Sequence, residues 1–244
     1  MFSGCTALTE DDFPIPPQVT EIGSSAFSGC TALTSYTIPD HVETIGENVF
    51  YGCKNMVSLT VPFIGSDRNT CKRLAYFFYE PPSGYAGSPV VPPNLKTVVV
   101  TNATKLAQNA FASNFMTGIG SSSYVYLTSI ILNDEITEIG ASAFYGQKEL
   151  ESIHLPADLT TVGLSPFSGC SKLKHIDFPE KLTRIPDSMF SGPPDLERGI
   201  APLGPPAPSQ PPLLGHGVAP PGRRPWPWAG GSSSRPPPLT LDVG

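Results

Sequence analysis

The sequence repeats itself with a beat of 23 residues, and a beat of that length restricts the chain to a stack of small, similar units. An Ala-Phe-Ser/Tyr-Gly-Cys phrase, with substitutions, sets phenylalanines at Phe2, Phe27, Phe50, Phe144, Phe167 and Phe190. Their spacings are 25, 23, 94, 23 and 23 residues. The 25 is a 23 enlarged by Ile15-Pro16 in the turn after Pro14, and the 94 spans a degenerate middle. A second phrase follows each phenylalanine: Leu33–Pro39 reads LTSYTIP, Met56–Pro62 MVSLTVP, Leu150–Pro156 LESIHLP and Leu173–Pro179 LKHIDFP. A third follows that: Val19–Gly23 reads VTEIG, Val42–Gly46 VETIG, Ile136–Gly140 ITEIG, Leu159–Gly163 LTTVG and Leu182–Pro186 LTRIP.

Each phrase has a physical reading. Leu150, Ile153 and Leu155 point inward while Ser152 and His154 alternate outward, which is the pattern of a half-buried strand. The proline that ends the phrase has no N–H for a ladder, so it stops the strand. Gly23, Gly46, Gly140 and Gly163 are expected at turns that use the positive φ open to glycine. The recurring phenylalanine should stack inside the coil. One unit of 23 residues cannot enclose its own apolar face, but neighbours stacked about 4.8 Å apart can. The fold class that follows is mainly β, a solenoid of 23-residue units.

These phrases resemble the BspA-like (Treponema-type) leucine-rich repeats, whose pattern runs close to I-P-x-x-V-x-x-I-G-x-x-A-F-x-G-C-x-x-L-x-x-I. The resemblance covers about residues 1–192. Val61–Gly65, Leu74–Phe78 and Pro92–Thr101 are similar to a long variant unit of bacterial members, here spanning 63–94, with Leu95–Thr101 as its strand and Ala110-Phe111 as a degenerate phenylalanine phrase. An insert at 114–124 delays the next strand, Leu127–Asn133, and Tyr79–Val91, rich in Pro, Gly and Ser, reads as a surface loop. Seven strand registers are expected, the first (Leu8–Pro14) weakened by Glu10, Asp11 and Asp12. The resemblance implies a non-catalytic binding module at the cell surface or secreted, adhering to host or matrix proteins or acting in a cell envelope.

Composition sharpens the boundaries. Of 29 prolines, 15 fall in residues 193–244. That density excludes a mainly helical protein, since helix interiors do not tolerate proline. Residues 1–192 carry 11 basic and 18 acidic groups, whereas 193–244 carry 4 and 3. The net charge of −6 argues against a nucleic-acid partner. No apolar run approaches the ~18 residues of a membrane span. No signal peptide is visible at the N-terminus, which leaves a cytoplasmic location open. Phe2-Ser3-Gly4-Cys5 looks like a lipoprotein box, but it recurs at Phe27–Cys30 and Phe167–Cys170 and lacks a preceding apolar stretch.

Residues 193–244 form a Pro/Gly-rich tail expected to be disordered, with polyproline II character. Pro-x-x-Pro phrases such as Pro202–Pro205 suit SH3-type domains, yet arise readily in any proline-rich run. The repeat stops in mid-unit at Gly192, so the tail reads as a linker or as out-of-frame translation of GC-rich sequence. The chain also starts inside a unit, at Met1-Phe2, which suggests a gene fragment. An intracellular scaffold, or a fragment without independent function, is therefore the alternative to surface adhesion.

Candidate chemistry is sparse. The cysteines are Cys5, Cys30, Cys53, Cys71 and Cys170, four of them at one repeat position, where Gln147 and Pro193 stand in other units. They read as a ladder of buried reduced thiols, since parallel Cβ vectors oppose a disulfide and no Cys-x-x-Cys suggests zinc. Cys71, in the variant unit, should be more accessible. Aligning Leu150 with Leu173 sets Ser152 beside His175 and His154 beside Asp177. That is a crossed relay without an oxyanion donor, so no catalytic residue is assigned and the chain does not read as an enzyme. His154 and Asp177 lack a third ligand, so no metal or cofactor is expected.

The outward strand positions remain as the expected binding face: Ser35, Thr37, Ser58, Thr60, Thr97, Ser129, Ser152, His154, His175 and Asp177. Small hydroxylated columns suit broad contact with a protein, or with a glycan. They resemble the threonine ladders of ice-binding solenoids, but Val99, Ile131, His154 and Asp177 break the ladder. Ser and Thr also simply suit exposed strand positions. Loops at Asp67–Lys72, Tyr79–Val91 and Asn114–Tyr124 are second candidates. Asn102-Ala-Thr104 is a glycosylation sequon that matters only in a secreted eukaryotic chain. Gly118–Ser123 resembles a phosphate loop only loosely, without its lysine.

Overall fold

The computed structural model describes residues 2–10, 13–79, 90–118 and 124–191. The tail at 193–244 lies outside them, as do most of the Tyr79–Val91 loop and the end of the insert.

Thirteen short strands are found among the described residues. In chain order they are β1 (Glu21–Ile22), β2 (Ser35–Thr37), β3 (Thr44–Ile45), β4 (Ser58–Val61), β5 (Val90–Val91), β6 (Thr97–Val100) and β7 (Lys105–Leu106), then β8 (Thr117–Gly118), β9 (Ser129–Ile131), β10 (Glu138–Ile139), β11 (Ser152–His154), β12 (Thr161–Val162) and β13 (His175–Asp177). The strand pairs are all parallel, as a coil that returns to the same side once per unit requires. Strands β2, β4, β6 and β9 form one sheet, and β11 pairs with β13 beside it. The second apolar phrase of each unit makes the other side of the coil, as β1–β3 and as β7–β10–β12. The strands are short because Pro39, Pro62, Pro156 and Pro179 end the first set.

The core is a column of phenylalanines. Phe2, Phe27 and Phe50 stack at 5.9 and 5.7 Å, and Phe111, Phe144, Phe167 and Phe190 at 5.6, 5.0 and 6.0 Å. Phe78, inside the variant unit, continues from Phe50 at 6.1 Å. Phe27, Phe50, Phe144 and Phe167 are buried, as the expected register demands. Each such ring contributes roughly 1.5–3 kcal/mol by leaving water.

The glycine expectation needs correcting. None of Gly23, Gly46, Gly140 and Gly163 has a positive φ. Gly46, Gly140 and Gly163 are needed for close approach instead: a Cβ on them would overlap backbone of the preceding coil at Ser24, Gln108 or Ala107, and Ala141. The left-handed turns lie on either side of the phenylalanine. Two residues before it stand Ser25, Asn48, Asn109, Ser142, Ser165 and Ser188, with φ of 51 to 59°. Two residues after it stand Gly4, Gly29, Gly52, Gly146 and Gly169, with φ of 67 to 78°. Asn and Ser tolerate that region better than branched or bulky residues do.

Three further expectations change. The register at Leu8–Pro14 forms no strand among its described residues, which leaves six strands in the first row. Glu10 is drawn instead to the Ser35 hydroxyl, which donates to its carboxylate at 2.6 Å. Val90–Val91 is not loop but strand β5, and it pairs with β8 from the insert. Two segments that read separately as loops thus meet. Finally, Cys5 is exposed rather than buried, whereas Cys30, Cys53 and Cys170 are buried and all five cysteines are free.

In the last described unit the second side of the coil forms no strand. In regular units the glycine N–H donates one coil back, as Gly46 does to Ile22 and Gly163 to Ile139. Pro186 stands at that place, has no N–H, and no strand forms at Arg184-Ile185. Ile185 is left 47% exposed, where Ile45 and Ile139 are buried.

Candidate binding face

The outward columns of the first sheet are set by backbone register. Ser35, Ser58, Thr97 and Ser129 lie side by side, as do Thr37, Thr60, Val99 and Ile131. On the β11–β13 pair, Ser152 lies beside His175 and His154 beside Asp177. The inward partners Tyr36, Leu59, Val98, Ile130, Ile153 and Ile176 are buried, so the alternation is complete across the row. Proline and the buried neighbours fix the direction of each strand, and the outward residues follow from the period of two.

The face is uneven in chemistry. Ser35 is tied to Glu10. Thr37, Ser152, His154 and His175 are exposed, while Ser58, Thr60, Thr97, Ser129 and Asp177 are half-buried. Ile131 is 52% exposed in the middle of the row. The His154 ring lies 4.0 Å from Asp134, an outward pair on the rim rather than a relay to Ser152. Lys172–Glu149 at 2.6 Å and Lys174–Glu151 at 3.6 Å edge the same end. Among the described residues no group of three His, Cys, Asp or Glu side chains converges as a metal site would.

The loop at Asp67–Lys72 is held firmly. The Asp67 carboxylate accepts from the Asn69 and Thr70 N–H groups, both at 2.8 Å, and hydrogen bonds from Thr70 and its neighbours hold its pKa below the ordinary value. Arg68 reaches Glu135 at 2.5 Å, which bridges the variant unit to a later coil. Arg73 lies over the Phe115 ring at 4.2 Å.

The repeating cysteine has a structural task that the pattern did not reveal. The Cys30, Cys53 and Cys170 thiols donate to the carbonyls of Phe2, Phe27 and Phe144, one coil back, at 3.2, 3.1 and 3.1 Å. Burial pushes the Cys53 and Cys170 thiols up to about 12, so neither is a nucleophile near neutral pH. Where Cys is replaced, Gln147 does the same work with a longer reach. Its amide donates to the Phe111 carbonyl at 2.5 Å, and its oxygen accepts from the Leu127 N–H at 2.8 Å. Asn133, standing where other units have proline, exchanges two bonds with the Ala103 backbone at 2.9 and 3.1 Å. The available signal was departure from the repeat: both residues break it beside the irregular middle.

A family model described as a BspA type leucine rich repeat region matches residues 1–77 and 93–202 in six copies. The chain belongs to that family. Among solved structures, a leucine-rich repeat protein from Bacteroides ovatus is 26% identical, with a TM-score of 0.47 over 73% of this chain and 39% of that one. A leucine rich cell surface protein from Faecalibacterium prausnitzii is 29% identical, with a TM-score of 0.37 over 65% and 42%. The Treponema pallidum leucine rich repeat protein is 20% identical, with a TM-score of 0.36 over 68% of each chain. This chain spans less than half the length of the first two. No curated protein gives a significant match. In this BspA-type chain the thiol ladder, the phenylalanine column and the close-approach glycines form the scaffold, and the outward strand residues take no part in it. No helix among the described residues is long and apolar enough to cross a membrane.

Proposed function

We propose that this BspA-type chain is a non-catalytic protein-binding module, and that its contact surface is the outward face from Thr37 to Asp177. One observation carries the reading. Two columns of outward side chains run across the four-stranded sheet, from hydroxyls to exposed Ile131, and the neighbouring β11–β13 pair adds the imidazoles of His154 and His175. Broad recognition surfaces combine a few apolar anchors with a polar surround. A catalytic site instead needs a base held on its nucleophile and donors for developing charge. The family resemblance extends the proposal to the cell surface, with host or matrix proteins as partners.

The test is binding of the full chain to purified fibronectin, laminin and collagen on a sensor surface. Saturable binding is expected, weakened at least tenfold by Ile131→Lys combined with His154→Ala. Tyr145→Ser, in the phenylalanine turn away from the face, should leave it unchanged. Binding that both variants keep would move the contact elsewhere. Binding competed by free glycan would make the ligand carbohydrate.

A further inference from the structure

The outward row is interrupted inside the solenoid, between β9 and β11. At the regular joints of this row the N–H groups of Val57, Lys96, Thr128 and Lys174 donate to the carbonyls of Thr34, Val57, Lys96 and Glu151, one coil back, at 2.7, 2.8, 2.9 and 2.9 Å. Glu151 holds the same place just before β11. Its N–H reaches no acceptor among the described residues, and no ladder joins β11 to β9. The other two sides of the same joint are closed. Strand β10 pairs with β12 through Glu138–Thr161 and Ile139–Val162. On the phenylalanine side, the N–H groups of Ser142, Phe144 and Gly146 donate to the carbonyls of Leu164, Pro166 and Ser168 at 2.9, 2.9 and 2.8 Å. The Phe144 and Phe167 rings stack there at 5.0 Å.

Two side chains tie β9 to the coil before it: Gln147, through the Leu127 N–H and the Phe111 carbonyl, and Asn133, through Ala103. The ties to the coil after it come from Asp134. Its carboxylate accepts from the Ala157 N–H at 3.2 Å, its carbonyl accepts from the Asp158 N–H at 3.1 Å, and the His154 ring lies 4.0 Å from the carboxylate.

We infer that the joint between β9 and β11 is a hinge, latched by Asp134. A coil bonded on two sides and open on the third has one easy motion, rotation about the bonded sides. In that motion β11 and β13 tilt away from β9 on the outward side, breaking the Asp134 contacts and no ladder bond. Elsewhere in the row the same motion would break a parallel ladder. The hinge divides the outward columns, with Ile131 before it and His154 after it, and so sets their separation. It stands whether or not that face binds a protein, because distances alone report it.

The test is pulsed electron paramagnetic resonance on the full chain carrying Cys5→Ser and Cys71→Ser, in which Cys30, Cys53 and Cys170 are buried from the label. One spin-label pair, at Thr37→Cys and His175→Cys, uses exposed outward positions on either side of the hinge. A second pair, at Glu43→Cys and Thr161→Cys, uses exposed positions across the same joint on its bonded side. Asp134→Ala should shift the Thr37–His175 distribution to longer distances and at least double its width, while the Glu43–Thr161 pair keeps a single narrow peak. Asp134→Asn, which keeps an oxygen for the Ala157 N–H, should stay close to the parent. A Thr37–His175 distribution unchanged by Asp134→Ala overturns the hinge. Equal broadening of both pairs also overturns it, by making the change a general loosening, and Asp134→Asn as broad as Asp134→Ala would overturn the latch.

Discussion

Cys170 and Gln147 hold the same place in neighbouring coils, and each donates to a phenylalanine carbonyl one coil back. The coil of Cys170 follows its neighbour by 23 residues, so a short thiol spans the gap. The coil of Gln147 follows Phe111 across the insert, and the longer amide also takes up the Leu127 N–H. Regular and irregular regions therefore share one requirement, that the carbonyl behind each ring be satisfied in a buried place. The coils are no further apart there than regular coils, with rings 5.6 Å apart, and what sets the glutamine apart is its second bond, to the Leu127 N–H. A buried acceptor left unpaired costs about 1–3 kcal/mol, which is enough to select the residue.

The comparison can be broken most forcefully at the rings. Phe144→Ala should cost about 3–5 kcal/mol in urea denaturation, by cavity and lost transfer energy. Phe78→Ala, in the irregular unit, should cost a similar amount, because that ring is equally buried. A much smaller loss there would show that the variant unit does not share the column.

The bridges come next. Gln147→Ala leaves the Phe111 carbonyl and the Leu127 N–H without partners and should cost about 2–5 kcal/mol. Cys170→Ala loses only a weak donor and a small buried side chain, and about 1 kcal/mol is expected. If restoring the repeat with Gln147→Cys proved neutral, reach would not be the reason for the glutamine.

Thiol chemistry gives a smaller and more selective readout. Cys5 should react with an alkylating reagent in the native chain, while Cys53 and Cys170 react only on unfolding, as peptide mapping would show. Burial raises the latter two from 9.0 to about 12, so the folded state holds its thiol protons more tightly than the unfolded one. Their contribution is complete below pH 9 and is lost as pH rises toward 12. Cys53→Ala with Cys170→Ala should flatten that alkaline decline in the melting temperature.

The repeat made much of the molecule legible. The phenylalanine column, the inward Leu150, Ile153 and Leu155, and the pairing of Ser152 with His175 all follow from counting a period of 23 and a period of two. The outward residues of the candidate face were legible for the same reason, since register fixes them. The glycines show where counting ends. Gly46 and Gly163 recur on the beat, but a sequence cannot tell a turn from a close approach, which depends on how near the preceding backbone comes. Ser25 and Asn48 take the left-handed turns instead, and their side chains do not announce it.

The sequence alone determined that this chain stacks in parallel coils around a phenylalanine column, because apolar periodicity leaves a 23-residue unit no other way to cover itself. Only the tertiary structure decided what joins the coils where the beat fails. The pairing of Val90-Val91 with Thr117-Gly118, the reach of Gln147 and the Asn133–Ala103 exchange all depend on distances between segments far apart in the chain. Such distances are products of packing, and no local pattern records them.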